Sequence, residues 1–306
     1  MTPLQMIEDF QSHLDLRNFQ FFSGNEVMRR LHEAQQELVR DIVEKDPSFF
    51  VATKALDIVS GTSLYDLPAN ARRGARIIFT ENTTSGTATN GTAGPVPPAS
   101  LRDYFTFEME HIVNNHPFWH FAFEGEQLRI FPTPGSSLSN AVKVWYVPTY
   151  GNMLQGIASA ATSTTLDFYT SDPNYTQNYG VVDLRNDYYN GMTIQIISGT
   201  GAGQTRTITD YDGSNRRATV SAWTTTPVAA DSTFAVMCPI PEDNHEAVTC
   251  RAAMMGSIKN RNRFQELSAV YHGSIGREGL RHNLMTWVEK RQDATLPTVY
   301  PGDTGA

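Results

Sequence analysis

The chain has 306 residues, enough for one to three domains, and its 40% apolar content is that of an ordinary globular protein. The formal net charge of -8 excludes the class of proteins that grip a phosphate backbone with clustered cations, so any contact with DNA should be loose. The sequence has no run of eighteen apolar residues, and its first ten residues lack the basic and apolar regions of a secretory signal. We therefore expect a soluble protein that stays where it is made or is assembled into a larger structure there.

Two cysteines and three closely spaced histidines are the residues that would first suggest a reactive or metal site. Cys238 and Cys250 have apolar neighbours and no zinc-like spacing, which predicts two buried free thiols. His111, His116 and His120 are five and four residues apart, without an HExxH motif or a nearby cysteine pair. Because GxSxG and other catalytic motifs are also missing, we predict no enzymatic activity, no metal and no cofactor.

Two amphipathic helices are predicted at the start of the chain. In the first, Thr2 is the cap and Pro3 the first helical residue. In the second, Ser23 and Glu26 have the spacing of a capping box, and the helix should end at Asp46 because a proline follows. The apolar positions recur three or four residues apart. They are Leu4, Ile7, Phe10 and Leu14 in the first helix, and Val27, Leu31, Ala34, Leu38 and Ile42 in the second.

The opposite face of the second helix carries charges of both signs. Its charged residues are Arg29, Arg30, Glu33, Glu37, Arg40, Asp41 and Glu44. Mixed charge on a helix is usually solvated surface, which is the interpretation we favour. The alternative is a face shared with neighbouring subunits.

A β-rich core is predicted next. In residues 50–79 apolar and polar residues alternate, which predicts strands. In residues 118–150 the same alternation is found on both sides of Gly125 and again after a turn at Pro134-Gly135. The second pattern predicts two turn-linked strand pairs in one antiparallel meander. The prolines cannot donate to a ladder, so each should mark a strand end or an edge. They are Pro132, Pro134 and Pro148.

The composition changes over residues 80–98 to Thr, Ser, Asn, Gly and Pro, with almost no large apolar side chain. Such a segment buries too little surface to offset its ordering entropy, so we predict a long exposed loop. A short helix is predicted over 101–115.

Residues 151–240 have a strand-and-turn pattern of their own. The predicted strands are 190–196, 205–209 and 218–223, with turns at 199–204 and 211–214. Several short strands at this spacing predict a small β-barrel or sandwich. The glycine-rich turn GTGAGQ lacks the Lys-Ser/Thr of a phosphate-binding loop and the helix that follows a Rossmann turn, so we predict no nucleotide site there.

The chain becomes helical again at Pro241. The apolar stripes are Ala247, Cys250, Met254 and Ile258, and then Phe264, Leu267, Tyr271, Ile275, Leu280, Leu284, Trp287 and Val288. Gly273, Gly276 and Gly279 would each cost about 1 kcal/mol in a helix interior, so either the helix bends there or another backbone comes close. Residues 293–306 have the composition of an arm that is disordered when alone.

Several stretches, taken in order, resemble a known family. They are an N-terminal helix leading into a strand, GTSLYDLP at 61–68, GEQLRIFPTPG at 125–135, KVWYVP at 143–148 and a C-terminal helix pair. They resemble the head-to-tail connector (adaptor) family of tailed bacteriophages, over about residues 1–150 and 240–292. The chain departs from that pattern in the loop 80–98 and in the segment after 151, which is similar to a β-module of phage virion proteins.

With this resemblance the sequence predicts an α+β fold, in which N- and C-terminal helices form a bundle on a small antiparallel β-core that carries an inserted small β-barrel or sandwich domain. The expected domains are a helical bundle of 1–60 and 241–292, a β-core of 61–150, an inserted β-domain of 151–240 and a flexible C-terminal arm of 293–306.

The resemblance also implies a structural role in the virion neck, after assembly in the host cytoplasm. The protein would form a ring of about twelve subunits beneath the portal, join the capsid vertex to the tail and let double-stranded DNA pass without tight binding. Expected partners are the portal protein, tail nozzle, tail tube or tail fibre proteins and other copies of the chain, with no membrane. The arm would contact the portal through Leu296, Pro297, Val299 and Tyr300.

The alternative is a receptor- or carbohydrate-binding virion protein that uses the β-insert. Its candidate sugar-stacking side chains are Trp119, Trp145, Trp223, Tyr188 and Tyr189. Aromatic residues on strands are more often core. The oligomer separates the two functions, since a connector forms a ring matched to the portal whereas a fibre-like receptor binder is usually a trimer.

Overall fold

The computed structural model describes residues 1–15, 22–71, 77–82, 94–95, 120–125, 127–169, 178–258 and 261–295. Over these residues the protein has the predicted α+β fold, with five α-helices and several antiparallel sheets. The chain divides into two compact units, which we call unit 1 (Met1–Phe49 with Tyr150–Ala306) and unit 2 (Phe50–Thr149). The finer four-part division expected from the sequence stays a prediction.

Unit 1 begins with the two predicted helices, α1 (Pro3–His13) and α2 (Gly24–Lys45). The Thr2 hydroxyl accepts a hydrogen bond from the backbone N–H of Gln5 at 3.3 Å, and the Gln5 side chain accepts one from the N–H of Thr2, which completes a capping box. Ser23 caps α2 at its start, and Asp46, the residue at which the helix was expected to end, is the C-cap that follows Lys45. All five apolar positions predicted for α2 are fully buried, and so are Ile7 and Phe10 of α1. Leu4 and Leu14, the other two positions predicted for the first helix, are only partly buried.

Unit 2 contains two antiparallel sheets that share one core. The strands are β1 (Ala52–Ile58), β2 (Leu64–Asp66), β3 (Ile77–Asn82), β4 (Gly94–Pro95), β5 (His120–Glu124), β6 (Gln127–Phe131) and β7 (Leu138–Tyr146). One sheet has the order β1-β7-β3-β4 and the other β2-β6-β5. Their buried side chains form a single cluster, which is Ile58, Tyr65, Phe121, Leu128, Ile130, Ala141, Val142 and Val144.

Two predictions for unit 2 need correction. The β5–β6 hairpin across Gly125 is confirmed, but the single meander is wrong, because β7 pairs with β1 and β3 in the other sheet. The loop predicted over residues 80–98 is wrong for its described part, since β3 continues through Asn82 and pairs with β4 at Gly94–Pro95; the rest of that range lies outside the described residues. The strands end before Pro132 and Pro148, as expected. The helix predicted over 101–115 lies outside the described residues.

The middle of unit 1 is one curled, seven-stranded antiparallel sheet with the shape of half a barrel. Its strands are β8 (Leu154–Ile157), β9 (Ala160–Ala161), β10 (Thr165–Asp167), β11 (Thr193–Ser198), β12 (Thr205–Asp212), β13 (Arg217–Val220) and β14 (Thr233–Val236). Their order is β8-β14-β11-β12-β13-β10-β9. The three predicted strands correspond to β11, β12 and β13 with shifted ends, and four further strands complete the sheet.

Phe168 is the centre of an aromatic cluster inside this half-barrel. Its ring stacks on Phe234 with centroids 4.8 Å apart, and it lies 5.4 Å from both Tyr189 and Tyr211. All four rings are buried. The Tyr211 hydroxyl donates to the carbonyl of Asp183 at 2.8 Å, so the apolar packing of this cluster also fixes a loop outside the sheet.

Three helices complete unit 1. A 3-10 turn at Glu242–Asn244 leads into α3 (His245–Gly256), which is followed by α4 (Arg261–His272) and α5 (Leu280–Thr295). Helix α3 packs against α1, α2, α4 and α5. The predicted apolar stripes are wrong at Ile258, which lies beyond the end of α3, and at Ile275, which lies beyond the end of α4, and both are exposed. Trp287 of the last stripe is also 38% exposed.

The glycines between α4 and α5 build a hairpin in place of helix. Strands β15 (Gly273–Ser274) and β16 (Arg277–Glu278) pair with each other, and Gly273 and Gly276 have positive φ angles of 94° and 78°. A Cβ atom added to Gly279 would lie 2.3 Å from the backbone nitrogen of Gly273. Of the two predicted reasons, the close approach of another backbone is correct for Gly279, whereas the positive φ angle of Gly276 is a reason that the sequence did not predict.

Two histidines, His245, which is buried, and His32, which is partly buried, should make the stability of unit 1 pH-dependent. Nε2 of His245 donates to the carbonyl of Ile240 at 2.8 Å, and burial lowers the pKa of His245 and of His32 below the usual 6.5. Below about pH 6.5 these two histidines bind protons in the unfolded chain more readily than in the folded chain. The free energy of unfolding should therefore fall as the pH drops toward 5. The slope is at most about 1.4 kcal/mol per pH unit for each histidine.

Urea unfolding at about pH 7.5, 6 and 5 measures this dependence. The pKa of Asp9, which His13 lowers by a hydrogen bond, affects stability only near and below 3.8, outside this window. His245→Gln keeps a side-chain donor for the Ile240 carbonyl and should flatten the dependence. If the stability of both His245→Gln and His32→Gln falls with pH as steeply as that of the unsubstituted protein, these histidines are not the cause of the dependence.

Candidate functional site

Two of the stretches that resemble the connector family are neighbours in unit 2. Strand β2, from GTSLYDLP, pairs with β6, from GEQLRIFPTPG. The backbone N–H of Gly61 donates to the carbonyl of Pro134 at 2.8 Å, which joins the loops at the ends of these strands. The Tyr65 hydroxyl donates to the carbonyl of Thr62 at 2.7 Å and closes the turn before β2. The stretches therefore describe one folded feature and are not independent coincidences.

The charged face of α2 helps to hold α3 and α5 in place. Three residues of this face, spaced four apart along α2, form ion pairs with residues of α3 and α5. We call these three pairs the charge ladder. They are Glu37 with Arg251, Asp41 with Arg281, and Lys45 with Glu289. Nη2 of Arg251 lies 2.9 Å from Oε2 of Glu37, and Nη2 of Arg281 lies 2.8 Å from Oδ2 of Asp41. The i, i+4, i+8 spacing is a sequence signal that could have revealed this row.

The prediction that this face is solvated is therefore wrong for Glu37 and Asp41. Arg40 and Glu44 form a pair at 4.0 Å that is largely exposed, as the prediction required. Asp41 is only 11% exposed, and its side-chain hydrogen bond raises the pKa of Arg281, so the guanidinium stays charged. Truncating Arg281 would leave the largely buried carboxylate of Asp41 without its cation, and an unpaired buried charge strongly destabilises the folded state.

Helix α5 carries the chain toward the predicted arm. Leu284 and Val288 are fully buried on one side of it. On another side Trp287 makes an edge contact with Phe49 at 5.5 Å between centroids, and the guanidinium of Arg291 lies 4.5 Å from the centroid of the same ring. These contacts and the charge ladder position α5 along its length.

The predicted portal-contact residues lie outside the described residues. They are Leu296, Pro297, Val299 and Tyr300. The arm was predicted to begin at residue 293, but α5 continues to Thr295. The first predicted anchor, Leu296, is therefore the residue after the described part of α5.

A cavity of about 300 Å³ opens beside the charge ladder. It is lined by Lys45, His272, Arg281, His282, Met285, Thr286 and Glu289. Lys45 and Arg281 are each paired with a carboxylate, and the Lys45 contact lowers the pKa of Glu289. The cavity thus holds little uncompensated positive charge at neutral pH and offers no strong site for a phosphate group.

The aromatic residues proposed for sugar stacking have other roles. Tyr189 and Trp223 are buried. The guanidinium of Arg185 lies 4.3 Å from the ring centroid of Tyr188, and Nζ of Lys143 lies 4.5 Å from that of Trp145. Trp119 lies outside the described residues. The described aromatics therefore do not form an open stacking platform.

The remaining predicted residues do not form a reactive centre in the part of the chain that the structure describes. His120 is on β5 and stacks on Phe131, whereas His111 and His116 lie outside that part. Within it, no group of three His, Cys, Asp or Glu side chains could hold a metal ion, and no helix is long and apolar enough to cross a membrane. Cys238 and Cys250 are buried free thiols as predicted, and burial raises the pKa of each to about 12.

Comparison with known proteins assigns the chain to a family. No curated protein matches it. A protein-family model described as SU10 adaptor protein matches residues 1–277, a range that includes both units from α1 to the β15–β16 hairpin and also the segment 151–240 that we interpreted as an insertion. The chain therefore belongs to the SU10 adaptor protein family, whose members are phage adaptor proteins.

Proposed function

We propose that this adaptor forms a ring of about twelve subunits beneath the portal protein, joins the capsid vertex to the tail and lets DNA pass. The observation that carries the proposal is the family match over residues 1–277. The role is structural and not catalytic. It places the protein in the virion neck after assembly in the host cytoplasm, with the portal protein and tail proteins as partners.

The contacts of α5 support a portal-binding arm. The charge ladder and the Phe49 contacts fix the helix, so a segment that starts at Leu296 would extend from a stable base. Leu296 is separated from the adjacent pair Val299 and Tyr300 by a proline and a threonine, which suits insertion of two apolar anchors into two pockets on the portal. Pro297 restricts the backbone of the segment and reduces the entropy lost on binding.

The charge of the chain supports passage of DNA without tight binding. A ring multiplies the net charge of -8, so its channel would not hold a phosphate backbone through counterion release. The described cations of the charge ladder are also committed to carboxylates. We therefore propose that packaged DNA slides through the ring.

The experiment that tests the function is assembly on portal-bearing heads. We expect the purified protein to be monomeric at micromolar concentration, because its apolar helix faces are buried within unit 1, and to form a ring only on the portal template. Light scattering gives the mass of the free protein, and cryo-EM of the mixture shows whether a ring occupies the neck. Failure to bind the heads would contradict the function, a stable free ring would contradict template dependence, and a trimer would favour the receptor-binding alternative.

A further inference from the structure

One large apolar side chain projects from the hairpin between α4 and α5. Ile275 is fully exposed at the tip of the hairpin, next to Gly276, and the flanking residues Ser274 and Arg277 pair with each other. Val270, near the end of α4, is also about half exposed. An isoleucine held out on a short, hydrogen-bonded turn is suited to be an anchor for a partner.

A groove of about 440 Å³ lies between α2 and the loop that precedes β11, with aliphatic side chains on its loop side and polar side chains such as Asn25 and Arg29 on its helix side. Val181 and Leu184 on its loop side are 57% and 58% exposed, and Met28 of α2 is buried beneath them. A groove with two such exposed aliphatic side chains can bury apolar area when a partner enters it.

Hydrogen bonds from the core of unit 1 fix the loop side of this groove. Nδ2 of Asn152 donates to the carbonyl of Val181 at 2.8 Å, and the N–H of Asp183 donates to the Tyr189 hydroxyl at 3.0 Å. A Cβ atom on Gly213 would lie 2.1 Å from the carbonyl oxygen of Leu184, so the backbone packs closely there. The groove is therefore preformed, which lowers the entropic cost of filling it.

The groove has one exposed cation and the hairpin one exposed carboxylate that could pair, besides Arg277 on the hairpin and Asp183 in the groove, which is paired with Arg185. Arg29, which lines the groove, is exposed, and among the described residues it makes no hydrogen bond or ion pair. Glu278, three residues after Ile275, is 72% exposed, and its described partner is His282 at 3.7 Å. When the hairpin of one copy places Ile275 in the groove of another, the carboxylate of Glu278 can approach the guanidinium of Arg29.

We propose that Ile275 of one copy of the chain enters the groove lined by Val181 and Leu184 of the next copy, with Glu278 facing Arg29. The projecting residue and the groove are different surfaces of one chain, so the contact is heterologous, and heterologous contacts generate rings when the rotation closes. This inference rests on the proposed ring function and identifies the subunit contact within it.

Disulfide crosslinking tests the contact, because the native Cys238 and Cys250 are only 8% and 0% exposed and give little background. The double variant Ile275→Cys/Leu184→Cys, assembled on portal-bearing heads and oxidised, should give a ladder of covalent multimers. Either single variant should remain monomeric, and a mixture of the two should give dimers. The matched control Ile275→Cys/Val228→Cys, which uses an exposed residue that does not line the groove, should give no ladder.

A charge exchange tests the polar part of the contact. Arg29→Glu or Glu278→Arg alone should lower the crosslinking yield by about tenfold, because like charges then face each other, and the double variant should restore it. Both residues are exposed, so the melting temperature should stay unchanged in all three proteins. Equal yields in the three variants would contradict the pairing.

The outcomes separate the contact from the proposed function. Rings that assemble without the crosslink, dimers of the Ile275→Cys single variant, or crosslinks from residue 275 to the portal would each overturn the contact and leave the connector function standing. If no ring forms on the heads, the crosslink is measured in the free protein at high concentration. A ladder there would support the contact although the connector function had failed, and its absence would overturn the contact too.

Discussion

Deleting residues 296–306 is expected to abolish attachment to portal-bearing heads and to leave the melting temperature of the free protein nearly unchanged. The cut follows Thr295, so α5 and its contacts with α2 and Phe49 remain intact. Each arm should bind weakly because it loses chain entropy on ordering, and many arms in one ring then act together. Losing that multivalency should reduce apparent affinity for the heads by at least about a hundredfold. Co-sedimentation of labelled protein with heads measures the occupancy.

The arm's apolar anchors can be separated from its length. Replacing Leu296, Val299 and Tyr300 together by serine should reproduce the deletion, whereas the matched variant Thr298→Ser/Thr304→Ser should bind normally. If the truncated protein occupies the heads as fully as the intact one, the arm is a passive tail. The docking surface would then have to lie on the helices from Pro241 to Arg291.

Local patterns predicted the helices of unit 1 well. A helix is determined by contacts three and four residues apart and by its caps, so Thr2, Ser23 and Asp46 could be assigned from the sequence. The same reasoning was wrong for Ile258 and Ile275, because a run of apolar residues at helical spacing does not reveal where the helix ends. Only the glycines near Ile275 indicated that the helix could be interrupted there, and in the structure they form a hairpin.

Strand pairing could not be predicted in the same way. Alternation shows which residues share a face, but it does not say which strand lies beside which. Strand β7 therefore looked like the continuation of the β5–β6 hairpin, whereas its partners β1 and β3 come from much earlier in the chain. In unit 1 the pair β8 and β14 brings together Leu154 and Val236, a contact that no local pattern contains.

The candidate sites illustrate the same limit. The connector motifs could be found from the sequence because they are short and ordered along the chain, and the family match confirmed the resemblance. The charge ladder was visible as a row of charges, but its partners Arg251 and Arg281 are more than 200 residues away. The groove lined by Val181 and Leu184 depends on a loop held by the side chains of Asn152 and Tyr189, so it exists only in the folded protein.

Phe168→Ala is expected to have the largest effect on stability. Its ring contacts Phe234, Tyr189 and Tyr211 in the centre of the half-barrel, and removing a fully buried phenylalanine ring costs about 3–5 kcal/mol. That is a large part of the roughly 5–15 kcal/mol by which a typical domain is stable. Urea unfolding followed by circular dichroism measures the change.

Two controls define what the Phe168→Ala result means. Val228→Ala, at an exposed position in the same unit, should change the free energy of unfolding by less than about 0.5 kcal/mol. Phe168→Leu keeps most of the apolar volume and should cost clearly less than alanine. Tyr189 and Tyr211 also hydrogen-bond to Asp183 in the loop that forms the groove. The alanine variant should therefore disturb the groove and lose ring assembly, even when enough folded protein remains to bind heads. A destabilisation of less than about 1 kcal/mol would contradict the central role of Phe168 in this core.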